Sequence, residues 1–375
     1  MLKLWNRKAA KIRLVKKEKC TGCAACYNIC PVGAIKMAED SEGFFSPLID
    51  EQVCTKCGLC LKVCPEINKF PIKGAEAPLA YAAWNLDQEE RANGSSGGIF
   101  SVFANFILEQ KGVVFAAEFD QEMGVKHALL DNKEDLPKFR GSKYLQSKIG
   151  FSLKEIKGYL EKGTKVLFSG TPCQVAGLRA FLGKDYDNLL TCDLVCHGVC
   201  SPKVFKDYLR SLERKYGAKV VSVFFRDKSS GWQKYRIKIV FENGKEYSGL
   251  FTKERFFTGF MRNIYLRSSC AMCRYAKIPR VGDITLGDFW GIGKKERFQY
   301  DSSEGVSLVL INNEKGRGLF NSCQDRYFAV KRELREAVSG NLHLRVPMRP
   351  SRNRAGFFLT FNSKGFDCAA EKYLQ

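Results

Sequence analysis

Beyond residue 78 the apolar positions of the chain fall into alternating and three-to-four-residue spacings that predict strands and helices in turn. Runs at 79–84, 113–119, 127–131, 165–169 and 188–195 read as strands, and 98–110, 153–162, 175–182 and 202–215 as helices. Alternation of this kind predicts an α/β region. A hairpin follows, with 235–241 turning at Asn243-Gly244 into 245–248, a strong two-residue turn signal. A helix near 252–260 and a strand at 307–311 complete the pattern. The stretch 69–78 (KFPIKGAEAP) is rich in Pro, Gly and Lys and reads as a linker. The apolar run 99–108 is interrupted by Ser101 and Asn105, too short for the roughly 20 apolar residues that cross a bilayer.

These divisions predict a basic arm at 1–14, a small module at 15–70, a linker at 71–78, two larger regions at 79–160 and 161–330, and a basic tail at 331–375. The first 19 residues hold eight Lys or Arg and no apolar leader, so a cytoplasmic protein is expected.

The small module carries the sharpest pattern. Cys20-x2-Cys23-x2-Cys26-x3-Cys30-Pro31 is repeated 34 residues later as Cys54-x2-Cys57-x2-Cys60-x3-Cys64-Pro65. Three thiolates spaced by two wrap one face of a 4Fe-4S cube, and the fourth, beyond a short turn, reaches across to the other cube. The ligand sets are then Cys20, Cys23, Cys26 with Cys64, and Cys54, Cys57, Cys60 with Cys30. Structural zinc prefers separated pairs of ligands, which this run does not resemble. The module resembles a bacterial two-cluster ferredoxin.

Sixteen cysteines in 375 residues are too many for chance and the chain too long for a disulfide scaffold, which favours thiolate ligation. The formal net charge is +21. Three cluster cores would bring six positive charges against twelve thiolates, leaving a surplus of about +15. Such a surplus favours an acidic partner, whether a small electron-carrier protein such as ferredoxin, an anionic cofactor or substrate, nucleic acid or a membrane surface.

Four constellations lie at predicted element ends. Asn93-Gly94-Ser95-Ser96-Gly97-Gly98 leads into a helix and suits a phosphate, or is simply a flexible capped loop. Arg140 to Ser147 contains cations able to bind phosphate or sit near a reduced flavin, or is a solvated loop. In Ser169-Gly170-Thr171-Pro172-Cys173-Gln174 a cysteine just inside a helix start suits a nucleophile, a metal thiolate or an inert core thiol. Cys192, Cys196, His197 and Cys200, with Cys270-x2-Cys273 far downstream, suit zinc or iron-sulfur alike.

With Gly141-Ser142-Lys143-Tyr144, Ser201-Pro202 and Gly282-Asp283-Ile284-x2-Gly287-Asp288-Phe289-Trp290 added, the set resembles the coenzyme F420 hydrogenase/dehydrogenase beta subunit family, here behind a two-cluster head. The resemblance implies an α+β chain in which the small ferredoxin-like module precedes a larger mixed α/β flavin and iron-sulfur domain. It implies a third 4Fe-4S cluster on Cys173, Cys196, Cys270 and Cys273, and FAD lined by Ser95, Ser96, Gly97, Gly98, Lys143 and Tyr144. Cys192 and Cys200 are left over, and Cys200 departs from the family pattern, where Pro is commoner. Lys143 and His197 are the candidate catalytic residues.

The expected function is an oxidoreductase that passes electrons from a ferredoxin-type donor through the clusters to a flavin, which exchanges a hydride with a small-molecule substrate. A relay subunit without a substrate is the alternative within redox chemistry. Nucleic-acid binding through 224–236 and 345–354, with structural clusters, is the alternative outside it.

Overall fold

The computed structural model describes residues 12–72 and 74–375, so most of the expected basic arm at 1–14 lies outside the described residues. In the head, α1 (Ala25–Ile29) is followed by the antiparallel hairpin of β1 (Ile35–Glu39) and β2 (Phe45–Ile49), then by α2 (Leu59–Lys62). The hairpin turn is held by the Asp40 carboxylate, which accepts from the amides of Glu42 and Phe44 at 2.8 and 3.0 Å.

The body begins with β3 (Leu79–Asn85), α3 (Gln88–Asn93), α4 (Ile99–Glu109), β4 (Val113–Phe119), β5 (Val125–Leu130) and α5 (Leu136–Phe139). It continues through α6 (Ser152–Glu161), β6 (Val166–Gly170), α7 (Pro172–Leu182), β7 (Leu189–Leu194) and α8 (Pro202–Tyr216). Strands β8 (Val220–Asp227), β9 (Arg236–Phe241) and β10 (Glu246–Leu250) form a separate antiparallel sheet, followed by α9 (Arg255–Met261). The chain then returns through β11 (Ile284–Asp288), β12 (Ser307–Ile311), α10 (Glu314–Ser322), β13 (Tyr327–Arg332), α11 (Leu334–Gly340) and α12 (Arg354–Tyr373).

The main sheet has the order β13-β3-β12-β11-β7-β6-β4-β5. Its middle strands β4, β6, β7 and β11 are parallel, and its flanks antiparallel. The fully buried run of β6 is what a strand covered on both faces requires. The fold class is therefore the expected one, a small iron-sulfur-type module followed by a larger mixed α/β region. Helix α7, which carries Cys173, starts on a reciprocal cap between Thr171 and Gln174 with Pro172 in its first turn, and ends at left-handed Gly183.

Two expectations are corrected. The segment 331–375 is not a solvated tail, because Phe357, Phe358, Phe361 and Phe366 of α12 are buried beside α8 in an aromatic core. Arg354, at the start of that helix, makes a two-pronged ion pair with Glu42 of the head. Nor is 224–236 an open basic face. Phe225 and Trp232 are buried, and Arg226 is locked by Asp288 through bonds of 2.9 and 2.8 Å. Among the described residues no helix is long and apolar enough to cross a membrane.

The head is bonded onto the body. Gln146 accepts from the Phe45 amide at 2.9 Å and donates to its carbonyl at 3.2 Å, extending β2 as a neighbouring strand would. Asn28 donates to the Gly150 carbonyl, and Arg274 to that of Pro65. Gly177 of α7 faces Cys23 so closely that a Cβ there would stand 2.6 Å from the Cys23 Cβ.

Candidate functional site

Four cavities run from the head into the body, two within the head, one between head and body and one within the body. The outermost is lined by Cys30, Cys54, Cys57 and Cys60. The next is lined by Cys20, Cys23, Cys26 and Cys64, with apolar Leu14, Met37 and Pro47 closing it. The crossing of Cys30 and Cys64 between the two groups is thus visible in the folded chain. A third cavity is lined by Cys173, Cys196, Cys270 and Cys273, brought together from the start of α7, the loop after β7 and a 3-10 turn at Ser268–Met272. Cys192 faces the sheet core and Cys200 is buried between Leu145 and Leu266, so neither lines this cavity. Cys323 is buried in the sheet core, and Cys368 is exposed.

None of these foursomes, and no other group of His, Cys, Asp or Glu among the described residues, is set to hold a metal ion on its own. The thiols instead stand around a space, the arrangement a polynuclear cluster needs. Burial pushes the Cys23 thiol up to about 12, and repulsion from the Cys20 and Cys64 sulfurs adds to it. Burial likewise raises Cys173 and Cys196, each also repelled by the other sulfurs of its foursome. Four thiols so placed ionise only against positive charge, which bound iron supplies.

The first two cavities have separate linings, and the later ones share walls. Cys26 and Cys60, from the two head foursomes, are within electrostatic reach of each other. Thr21 and Gly22 line both the second and third cavities. Ser147, Thr171, Gln174, Cys196, His197, Gly198 and Val199 line both the third and the fourth.

The fourth cavity is of another kind, about 650 Å³ and lined by residues of both sheets. Ser95, Ser96, Gly98, Lys143, Tyr144 and His197 all line it. Gly97 is set behind that wall, where a Cβ would lie 2.3 Å from the Ala83 carbonyl. The loop before α4 is fastened on both sides. Ser95 Oγ accepts from the Ser142 amide at 2.6 Å, Ser96 Oγ donates to Val306, and Lys228 Nζ donates to the carbonyls of Arg91, Ser96 and Glu304. Small residues at the start of an eleven-residue helix, with Lys143 and with Arg140, which is paired to Glu90 at 2.7 Å, in the same lining, make a wall suited to phosphate.

Lys143 Nζ donates to the carbonyls of Phe139, Arg140 and Gly141, and burial lowers its ammonium to about 8. His197 contacts the Asn263 side-chain oxygen through Nε2 at 2.6 Å and stacks on His343. Burial, with repulsion from His343, lowers it to about 4, so its ring is neutral at ordinary pH. Tyr144 accepts from Arg226, whose guanidinium lies over Tyr235.

Comparison with known proteins follows the same division. Residues 80–154 match the family described as coenzyme F420 hydrogenase/dehydrogenase, beta subunit N-term, and 163–336 match its C terminus. The chain belongs to the coenzyme F420 hydrogenase/dehydrogenase beta subunit family. Residues 19–67 match a 4Fe-4S dicluster domain, so the head is an iron-sulfur module. It is 26% identical over 337 residues to a coenzyme F420-dependent sulfite reductase of Methanocaldococcus jannaschii, covering 83% of this chain and 47% of that protein. The chain therefore spans about half the length of the curated relative it matches. A chain of the F420-reducing [NiFe] hydrogenase complex from Methanosarcina barkeri is similar at 17% identity, with a TM-score of 0.46, over 81% of this chain and 93% of that one.

One residue of the beta-subunit cavity was not singled out by sequence. His127 of β5 accepts from Ser147 at 3.0 Å through Nδ1 and donates to the Ser169 carbonyl at 3.1 Å through Nε2, while Gln174 donates to Ser147 at 2.7 Å. This chain of bonds joins the cavity floor to the cap of the Cys173 helix. The signal available was a lone histidine within a strand, which by itself points to nothing.

Proposed function

We propose that this chain holds three 4Fe-4S clusters and one FAD, and moves electrons between an acidic, ferredoxin-type carrier protein and a small molecule with which it exchanges a hydride. The observation that carries the reading is the series of four cavities, three lined by four cysteines each and the last large enough for an organic cofactor, the second, third and fourth sharing walls. Cys30, Cys54, Cys57 and Cys60, then Cys20, Cys23, Cys26 and Cys64, then Cys173, Cys196, Cys270 and Cys273 would hold the clusters. The loop at 94–98 with Arg140 and Lys143 would take the FAD phosphates, and Tyr144 would face its ring system. When bound, the clusters supply single-electron steps and the flavin supplies the two-electron step.

The chain's own side chains then have definite tasks. Lys143, an ammonium easily deprotonated near pH 8, can give or take a proton at Nζ beside the cavity. His197 stays neutral and lines the large cavity next to Cys196, at the wall it shares with the third cavity. The exposed end of the series, at Cys57, is where a carrier protein would dock. Coenzyme F420, named for the family and for the sulfite reductase relative, is the first hydride partner to try. The observation favouring an enzyme over a pure relay is the size of the fourth cavity.

Anaerobic purification with iron, sulfide and flavin counted per chain tests this. About twelve iron and one FAD are expected. About eight iron and no flavin after reconstitution would leave a two-cluster head on a body of other purpose.

A further inference from the structure

Three arginines are buried among the described residues: Arg226, Arg267 and Arg280. Arg226 is paired with Asp288 at 2.8 Å, and Arg280 with Asp193 at 3.0 Å. Arg267, at 2% exposure, has one hydrogen bond from each guanidinium nitrogen yet no carboxylate partner among the described residues. Its Nε donates to the Cys20 carbonyl at 2.7 Å, and its two terminal nitrogens to Gln146 Oε1 at 3.0 Å and Ser46 Oγ at 2.9 Å. The guanidinium lies over the Phe44 ring. All of these acceptors are neutral. A buried cation is tolerated only when some negative charge compensates it, because desolvation of a lone guanidinium costs several kcal/mol.

The place of Arg267 identifies that charge. It lines the third cavity, its positive field favours the Cys270 thiolate, and its hydrogen bond holds the Cys20 loop of the second. Gly22, in the wall between the two cavities, would bring a Cβ to 3.5 Å from an Arg267 nitrogen. Four thiolates around a 2+ core leave two negative charges, and reduction adds a third. We propose that Arg267 is a positioning residue and shared counter-charge for the two adjoining foursomes, Cys20/Cys23/Cys26/Cys64 and Cys173/Cys196/Cys270/Cys273. It favours the reduced state of both and holds this step of the series near level. The proposal rests on the cluster reading given above. The outermost foursome lies beyond the second cavity and has no contact with Arg267, which makes it an internal reference.

The test is a redox titration of the anaerobically loaded protein, followed by electron paramagnetic resonance, for the wild type, Arg267→Gln and Arg267→Lys. Iron is counted first. A wild type with about eight iron overturns the cluster reading itself, and the proposal with it. With about twelve iron, Arg267→Gln is expected to lower the midpoint potentials of the two inner clusters. The shift should make the reduced-to-oxidised ratio at a fixed potential about tenfold smaller, equivalent to about 59 mV for one electron. The outermost cluster should move far less, and Arg267→Lys should recover most of the shift. Because the charge is buried, the difference should survive added salt. Potentials unchanged in Arg267→Gln, or all three shifted equally, would overturn the proposal. If Arg267→Gln loses the inner clusters while Arg267→Lys keeps them, the charge is needed for assembly as well. If both lose them alike, the shape of the guanidinium matters and its charge does not, and the proposal fails.

Discussion

Head and body place cysteines to opposite structural effect. In the head, Cys30 and Cys60 sit with Ala34 and Ile35 in a four-residue core that partly buried side chains such as Ile12, Ile29 and Ile49 cover, so the thiols are half of what is fully buried in it. In the body, aromatic and branched side chains such as Phe103, Phe115 and Phe168 fill both faces of an eight-stranded sheet, and the third foursome lines a site that the sheet already supports. A small module with so little apolar surface depends on bound metal for its stability, whereas the larger region does not.

Removing iron should separate the two regions most sharply. After anaerobic chelation, amides of β1, β2, α1 and α2 are expected to lose hydrogen-exchange protection by several kcal/mol, while β4, β6 and β7 keep theirs. Equal loss in both regions would break the comparison. Next in size is Cys173→Ser, expected to bring iron from about twelve to about eight per chain with the helix and strand content unchanged. Cys192→Ser and Cys200→Ser should keep the full complement, since neither side chain lines the third cavity.

A smaller effect is expected at the contact between the regions. Gly177→Ala would push a methyl group against Cys23, 2.6 Å from its Cβ, and should destabilise the docked head by about 1–3 kcal/mol, read as a lower melting temperature of the holoprotein. Of comparable size, but spread over a range of pH, is an effect within the body. Burial lowers His127 from 6.5 to about 4, so the unfolded chain takes up a proton before the folded one does. Stability should be intact above pH 6.5 and fall as pH drops from 6.5 toward 4, with a slope of up to about 1.4 kcal/mol per pH unit. His127→Gln should flatten that slope in denaturant titrations.

How much of this could be read beforehand follows from how local each feature is. The head foursomes are written in runs of eleven residues, so their spacing alone announced them. The third foursome spans residues 173–273, and only a family resemblance joined its members before the fold did. The strands of the parallel core were legible because continuous apolar runs mark strands covered on both faces. Helix α12 was missed because the basic stretch before it reads as a tail, although Phe357, Phe358 and Phe361 carry helical spacing. His127, Arg226 and Arg267 take their meaning from Ser147, Asp288 and the Cys20 loop, partners 20 to 247 residues away, and no local pattern encodes such pairings.

Of the twelve cysteines that line the three narrow cavities, Cys57 alone is exposed, and it belongs to the outermost. The opening proposed above for a carrier protein would also admit dissolved oxygen and peroxide, and accessible thiolates are the first to be oxidised. Ageing in air should therefore proceed from the outside inward, silencing exchange with protein carriers while the inner sites and the large cavity remain intact. A preparation damaged in this way would still react with small-molecule dyes that reach the large cavity directly, so dye assays alone would overstate how much working protein is left.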